Sequence, residues 1–131
     1  MMDTSAYVGF AEQRPDALTC NESLRSRRFP RYVTPFVIAE THRRLLFDHG
    51  YQVAERFLAV IHGGEATVTR PTHDDEADAV QLIRQYSALR LTFCDAVGMT
   101  VMLRLGILRA FTYDRAHFWA VGFIAVPPLD L

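Results

Sequence analysis

Four acidic residues stand where the surrounding pattern calls for something else. Asp3 follows only two apolar residues, and Glu40 shares a predicted helix face with Phe36 and Phe47. Asp95 sits inside "ALRLTFCDAVGMTVMLRLGI", residues 88–107, which is otherwise apolar or small apart from its arginines. Asp114 closes the strand candidate "RAFTY". An ionised carboxylate among apolar neighbours is costly to desolvate unless something pairs with it. Each acid alone also fits an ordinary role: Asp95 as complement to a helix N-terminus, Asp114 as the opener of a turn, Glu40 as partner of Arg43 or Arg44. Three of them fall at strand-to-turn or strand-to-helix transitions and Glu40 about one turn into a helix, a joint placement that points to one pocket beyond the carboxyl ends of a parallel sheet. Two carboxylates about 5 Å apart repel by roughly 3 kcal/mol at an effective dielectric of about 20, so convergence needs a cation. All-oxygen ligands favour a hard ion, Mg²⁺ or Mn²⁺, over zinc. Such an ion activates water and stabilises charge on a phosphodiester, which is phosphoryl chemistry.

The elements that must position these acids alternate between strand and helix. After the short apolar entry, a small-residue turn is expected following Asp3, and residues 20–32 read as the tail of a helix and a basic loop. "RYVTPFVIAETHRRLLF" is a short strand running into a helix, with Thr34 as N-cap and Pro35 at the first helical position. Val53, Ala54, Phe57, Leu58 and Ile61 fall on one helical stripe that Gly63 ends. "EATVTR" is a strand candidate. Thr72 caps a helix whose acidic start (Asp74, Asp75, Glu76, Asp78) suits the dipole, with Val80, Ile83 and Tyr86 as its core-facing stripe. "RAFTYD" reads as a strand, "RAHFWAVG" as a short helical turn, and "FIAV" as a last strand before Pro127 and Pro128. The pattern predicts an α/β fold around a mainly parallel sheet, with residues 1–131 as one domain.

Composition narrows the function. All fourteen basic residues are arginine, so mechanisms that need a lysine are excluded; among them is the acidic, Mg²⁺-binding phospho-receiver pocket. There is no GxGxxG after a strand and no Walker A motif, which leaves dinucleotide-binding and P-loop enzymes without support. The apolar run 118–129 is too short to span a bilayer and contains Gly122 and two prolines, and the start of the chain lacks a secretory pattern. Cys20 and Cys94 lack metal or redox spacing and read as free thiols. A cytoplasmic location without membrane contact is expected.

Four blocks, "MDTSA" at 2–6, "VTPFVIAETHRRLL" at 33–46, "LRLTFCDAVGMTVMLRLGI" at 89–107 and "AFTYDRAHF" at 110–118, resemble the PIN-domain family. The likeness is to the small VapC-like ribonuclease toxins of bacterial toxin–antitoxin pairs. It implies a three-layer α/β/α sandwich and a Mg²⁺- or Mn²⁺-dependent endoribonuclease, with metal-activated water attacking the phosphodiester in line. On this resemblance Asp3, Glu40, Asp95 and Asp114 are the metal-holding and catalytic quartet, and Thr4, Ser5 and Thr112 its hydroxyl support. An antitoxin partner and a homodimer are implied as well. The competing reading is a degenerate PIN-like module that only binds protein or RNA.

With four of the fifteen acids in the metal set, eleven remain against fourteen arginines, a mildly basic surface. Arg25, Arg27, Arg28 and Arg31 are expected to cluster in one loop with Phe29 and Tyr32 interleaved, a composition suited to phosphate contact and base stacking. A solvated loop fits the same residues. Arg115 and His117, beside Asp114, are further candidates for phosphate contact. Trp119 and Phe123 serve either a dimer or the core.

Overall fold

The computed structural model describes residues 1–127; Pro128 and Leu129, the end of the apolar run 118–129, lie outside the described residues. In chain order the elements are α1 (Thr4–Ala11), α2 (Pro15–Ser26), β1 (Tyr32–Val33), α3 (Pro35–His49), α4 (Tyr51–His62), β2 (Thr67–Val68), α5 (His73–Gln85), a 3₁₀ turn (Ser87–Leu89), α6 (Phe93–Leu105), β3 (Arg109–Phe111), α7 (Arg115–Val121) and β4 (Ile124–Val126). The expected alternation is present. Asp3, however, leads straight into α1 rather than into a turn.

β1 pairs in parallel with β2, and β3 with β4 in the register Arg109–Ile124, Ala110–Ala125, Phe111–Val126. Residues 1–3 join the two halves. Met2 bridges Phe111 in parallel and donates its N–H to the Tyr32 carbonyl at 2.7 Å; the Asp3 N–H donates to the Phe111 carbonyl at 3.0 Å. The strand order is therefore β2, β1, residues 1–3, β3, β4. The chain winds outward in both directions from its first residues, so the topological switch point, where such sheets open a crevice, lies at Asp3.

Side chains alternate across this sheet with period two. Met2, Val33 and Phe111 join a core with Ala6, Leu45 and Phe57, under α1, α3 and α4. Met1 and Ala110 join a second core with Leu82, Val97, Met99 and Phe118, under α5, α6 and α7. The result is the three-layer α/β/α sandwich. α6 lies buried along Asp95–Met102, which is why its sequence is apolar on every side. Each of its larger side chains contributes about 1.5–3 kcal/mol by burial.

Caps fix where the helices begin. Thr34 Oγ1 accepts from the Val37 N–H at 3.3 Å. Thr72 and Asp75 form a reciprocal capping box at 3.0 and 2.9 Å. The stripe of α4 is as expected, with Ala54, Phe57 and Ile61 buried. Two other stripes need correction by one residue. α3 buries Val37, Thr41 and Leu45 and leaves Phe47 exposed. α5 buries Asp75, Ala79 and Leu82, with Val80 exposed and Ile83 and Tyr86 only partly covered. Asp75 is held there by Arg104 of α6, whose guanidinium donates to both carboxylate oxygens at 2.8–3.0 Å. Among the described residues no helix is long and apolar enough to cross a membrane.

Candidate metal centre

Three helices begin at the switch point. Asp3 is the N-cap residue of α1 and Asp114 that of α7, yet neither side chain caps its helix. Asp95 is the third residue of α6, and its N–H is satisfied by Thr92 Oγ1 at 3.1 Å. The carboxylates are thereby released from local capping. Asp3, Asp95 and Asp114 bring one oxygen each to within 4.8 Å of one another. The positive ends of the helix dipoles favour negative charge at such a point.

Two hydroxyls brace Asp3. Ser5 Oγ and Thr112 Oγ1 both donate to its Oδ2, at 3.0 and 2.7 Å. Ser5 Oγ also accepts the Tyr113 N–H at 2.8 Å, and Thr112 Oγ1 accepts the Asp114 N–H at 3.0 Å. These four bonds tie the start of α1 to the β3–α7 connection. The approach is close enough that a Cβ at Gly9 would stand 3.1 Å from the Tyr113 ring.

The electrostatics are those of buried carboxylates crowded together. Asp3 is 4% and Asp95 8% exposed. Burial, and then the neighbouring carboxylates of Asp3 and Asp114, push the Asp95 carboxyl up from 3.8 to about 7. Burial likewise raises Asp3, against the opposing pull of its Thr112 hydrogen bond. A hard divalent cation fits this donor set: three carboxylates, all oxygen, too close to ionise together unaided.

The remaining residues proposed from sequence fall differently. Glu40 is exposed on α3 and stands outside the three-carboxylate cluster; it faces the Cys94 thiol, which burial and this carboxylate together push up. Thr4 is buried, but its Oγ1 finds no partner and does not reach Asp3. His117, a candidate for phosphate contact from sequence, stands beside the cluster. Its Nδ1 lies 3.8 Å from Asp95 Oδ2, because one turn of α7 places it on the Asp114 side. That i, i+3 spacing was the available signal.

The four arginines assigned to one loop do not share it. Arg25 ends α2, Arg27 caps it, and Arg28 adopts a left-handed φ of 56°. Arg31 is paired with Glu65 and donates to the Asn21 carbonyl at 3.2 Å. Arg115 donates Nε to the Pro127 carbonyl at 3.0 Å. Phe123 belongs to the core, whereas Trp119 is 47% exposed.

The chain has the PIN-domain fold. A solved structure shares it: VapC20 of Mycobacterium tuberculosis, described as a sarcin-ricin loop cleaving toxin, superimposes with a TM-score of 0.83 at 24% identity, covering 97% of this chain and 98% of that one. No protein-family model and no curated protein sequence matches the chain.

Proposed function

We propose that this protein is a metal-dependent endoribonuclease, the toxin of a toxin–antitoxin pair, acting from the cytoplasm on RNA. The observation that carries the reading is the convergence of Asp3, Asp95 and Asp114 at the topological switch point, with Asp95 raised to about 7. Likeness in fold to a sarcin-ricin loop cleaving toxin supports it.

Asp3, Asp95 and Asp114 would hold Mg²⁺ or Mn²⁺, with Glu40 reaching the outer side of the site. When bound, the ion supplies Lewis-acid activation of water and charge stabilisation on the phosphodiester. The Ser5 and Thr112 hydroxyls orient Asp3 and pull against the rise that its burial causes. The antitoxin partner and a homodimer belong to the same reading.

One feature favours the rival, a binding module without turnover: Glu40 lies outside the cluster that the other three acids form. A single pair of measurements separates the two. Thermal melts of wild type and Asp95→Asn with and without millimolar Mn²⁺ test the cation site, and incubation with sarcin-ricin loop RNA and total RNA tests cleavage. The enzyme reading requires a metal-induced rise in Tm that Asp95→Asn abolishes, and Mn²⁺-dependent cleavage. A metal response without cleavage of any RNA leaves the binding module.

A further inference from the structure

Among the three clustered carboxylates only Asp114 is exposed, so the cluster opens toward the first turn of α7. That turn carries two polar side chains, and one of them is committed elsewhere. Arg115 donates to the Pro127 carbonyl and lies over the Tyr113 ring, 5.1 Å from its centroid. His117 is free of such ties. Its Nδ1 is buried, has no hydrogen-bond partner, and faces Asp95 Oδ2 at 3.8 Å. The side chain as a whole is 31% exposed, so the exposure falls beyond Nδ1, on the part of the ring that carries Nε2.

Asp95 decides which nitrogen carries the proton. An ionised carboxylate, the form in which Asp95 holds a cation, only accepts hydrogen bonds. A lone pair on Nδ1 would face it in repulsion, so Nδ1 holds the hydrogen of the neutral ring. Nε2 is left as an acceptor on the open side. A phosphate oxygen, the contact expected from sequence, carries only lone pairs and is repelled by such a nitrogen. What Nε2 takes is an O–H or N–H donor. In a nucleic acid strand the donor that covalent structure fixes beside every phosphate is the ribose 2′-hydroxyl, and DNA lacks it.

We propose that His117 is a specificity-determining residue: its Nε2 accepts the 2′-hydroxyl of a ribose adjoining the scissile phosphate, and this contact selects RNA over DNA. The proposal rests on the ribonuclease reading. It gives Asp95 a second task, as the acceptor that sets the imidazole, and it moves no proton on or off the ring.

The test uses full-length protein, Mn²⁺ and a short RNA spanning a cut that the wild-type chain makes in total RNA. Two further strands each carry a single 2′-deoxyribose, one on either side of the scissile phosphate. One of the two should lower wild-type kcat/KM roughly tenfold, the worth of one hydrogen bond. His117→Asn keeps an N–H for Asp95 and removes the outer acceptor. It should lower kcat/KM on the all-ribose strand by the same factor, and the deoxyribose should then cost nothing more. His117→Gln, whose Oε1 falls near the place of Nε2, should regain most of the all-ribose rate. The Mn²⁺-induced rise in Tm should be the same in all three proteins. Losses that multiply, a His117→Asn variant at wild-type rate, or a wild type indifferent to both deoxy strands each overturn the proposal. So does a lost metal response in His117→Asn, which would mean that His117 acts only through the ion. Absence of any cut in total RNA sinks the ribonuclease reading itself, and the role of His117 with it.

Discussion

The Thr112 hydroxyl donates to Asp3 Oδ2 at 2.7 Å while accepting the Asp114 N–H at 3.0 Å, so one buried oxygen sets the separation of two proposed ligands 111 positions apart. Thr112→Val removes both bonds without changing side-chain volume much. A buried donor left unpaired costs about 1–3 kcal/mol, and loss of a group orienting a metal ligand costs roughly 10–100-fold in metal affinity. Asp3 loses its main hydrogen-bonded support for ionisation, which compounds the effect. Titration calorimetry with Mn²⁺ should show that weakening, and Thr112→Ser should restore most of it. Equal Mn²⁺ affinity in wild type and the valine variant would remove Thr112 from the site.

Asp95 gives the metal-free protein a definite pH dependence. Its carboxyl is pushed up from 3.8 to about 7, first by burial and then by Asp3 and Asp114. Between those values the folded state holds a proton that the unfolded chain has released, so stability falls as pH rises from about 4 to about 7 and is flat above. The gap corresponds to about 4 kcal/mol at most. Asp3, raised by burial, adds in the same direction. Melts from pH 5 to 8 without metal should therefore show a falling Tm in wild type and a flatter profile in Asp95→Asn. The variant should also exceed wild type in Tm at pH 8. A wild-type profile that rises over this range would contradict the geometry of the cluster.

These contacts show what a one-dimensional pattern can and cannot carry. Caps at Thr34 and Thr72 were legible because a hydroxyl and an N–H three residues on settle the matter locally. The stripe of α4 was legible because its apolar residues admit one face. α5 offers two overlapping sets, Ala79 and Leu82 or Val80 and Ile83, and its packing on α6 decides between them, helped by the non-local Asp75–Arg104 pair. In α3 the two phenylalanines drew the face toward Glu40, whereas the small Thr41 is wholly buried. The sheet is built from strands of two or three residues, too short for alternation to register, and its central member is residues 1–3. Three of the four acids were recoverable because they sit at element boundaries. Of Arg14, Arg27, Arg109 and Arg115, which line one hollow between α2 and β4, only Arg27 and Arg115 stand out in sequence, because the set comes together only when the chain is folded.

Glu40→Gln separates a three-carboxylate site from a four-carboxylate one. Glu40 is exposed and its carboxylate lies outside the cluster formed by the other three. The variant should retain most of the Mn²⁺-induced rise in Tm that Asp95→Asn abolishes. Cleavage should fall by at least about tenfold if Glu40 closes onto the ion only with substrate in place, the difference between a ground-state and a transition-state contact. Full retention of activity would remove Glu40 from the machinery. Loss of the metal response would place it among the resting ligands.

Arg31 tests whether a basic residue in an arginine-rich stretch holds RNA or holds the fold. Its side chain is 9% exposed, paired with Glu65, and hydrogen-bonded to the Asn21 carbonyl in the middle of α2. Removing one partner of a buried pair leaves the other charge uncompensated, a cost of about 3 kcal/mol at the lower end of the usual range, because Glu65 remains one-fifth exposed. Arg31→Gln should therefore lower the denaturant midpoint substantially while leaving the salt dependence of RNA binding as it is. The double variant Arg31→Met with Glu65→Leu should recover much of the lost stability, because it removes both charges at once. A single variant that keeps its stability but flattens the salt dependence would move Arg31 from the core of the fold to the RNA surface.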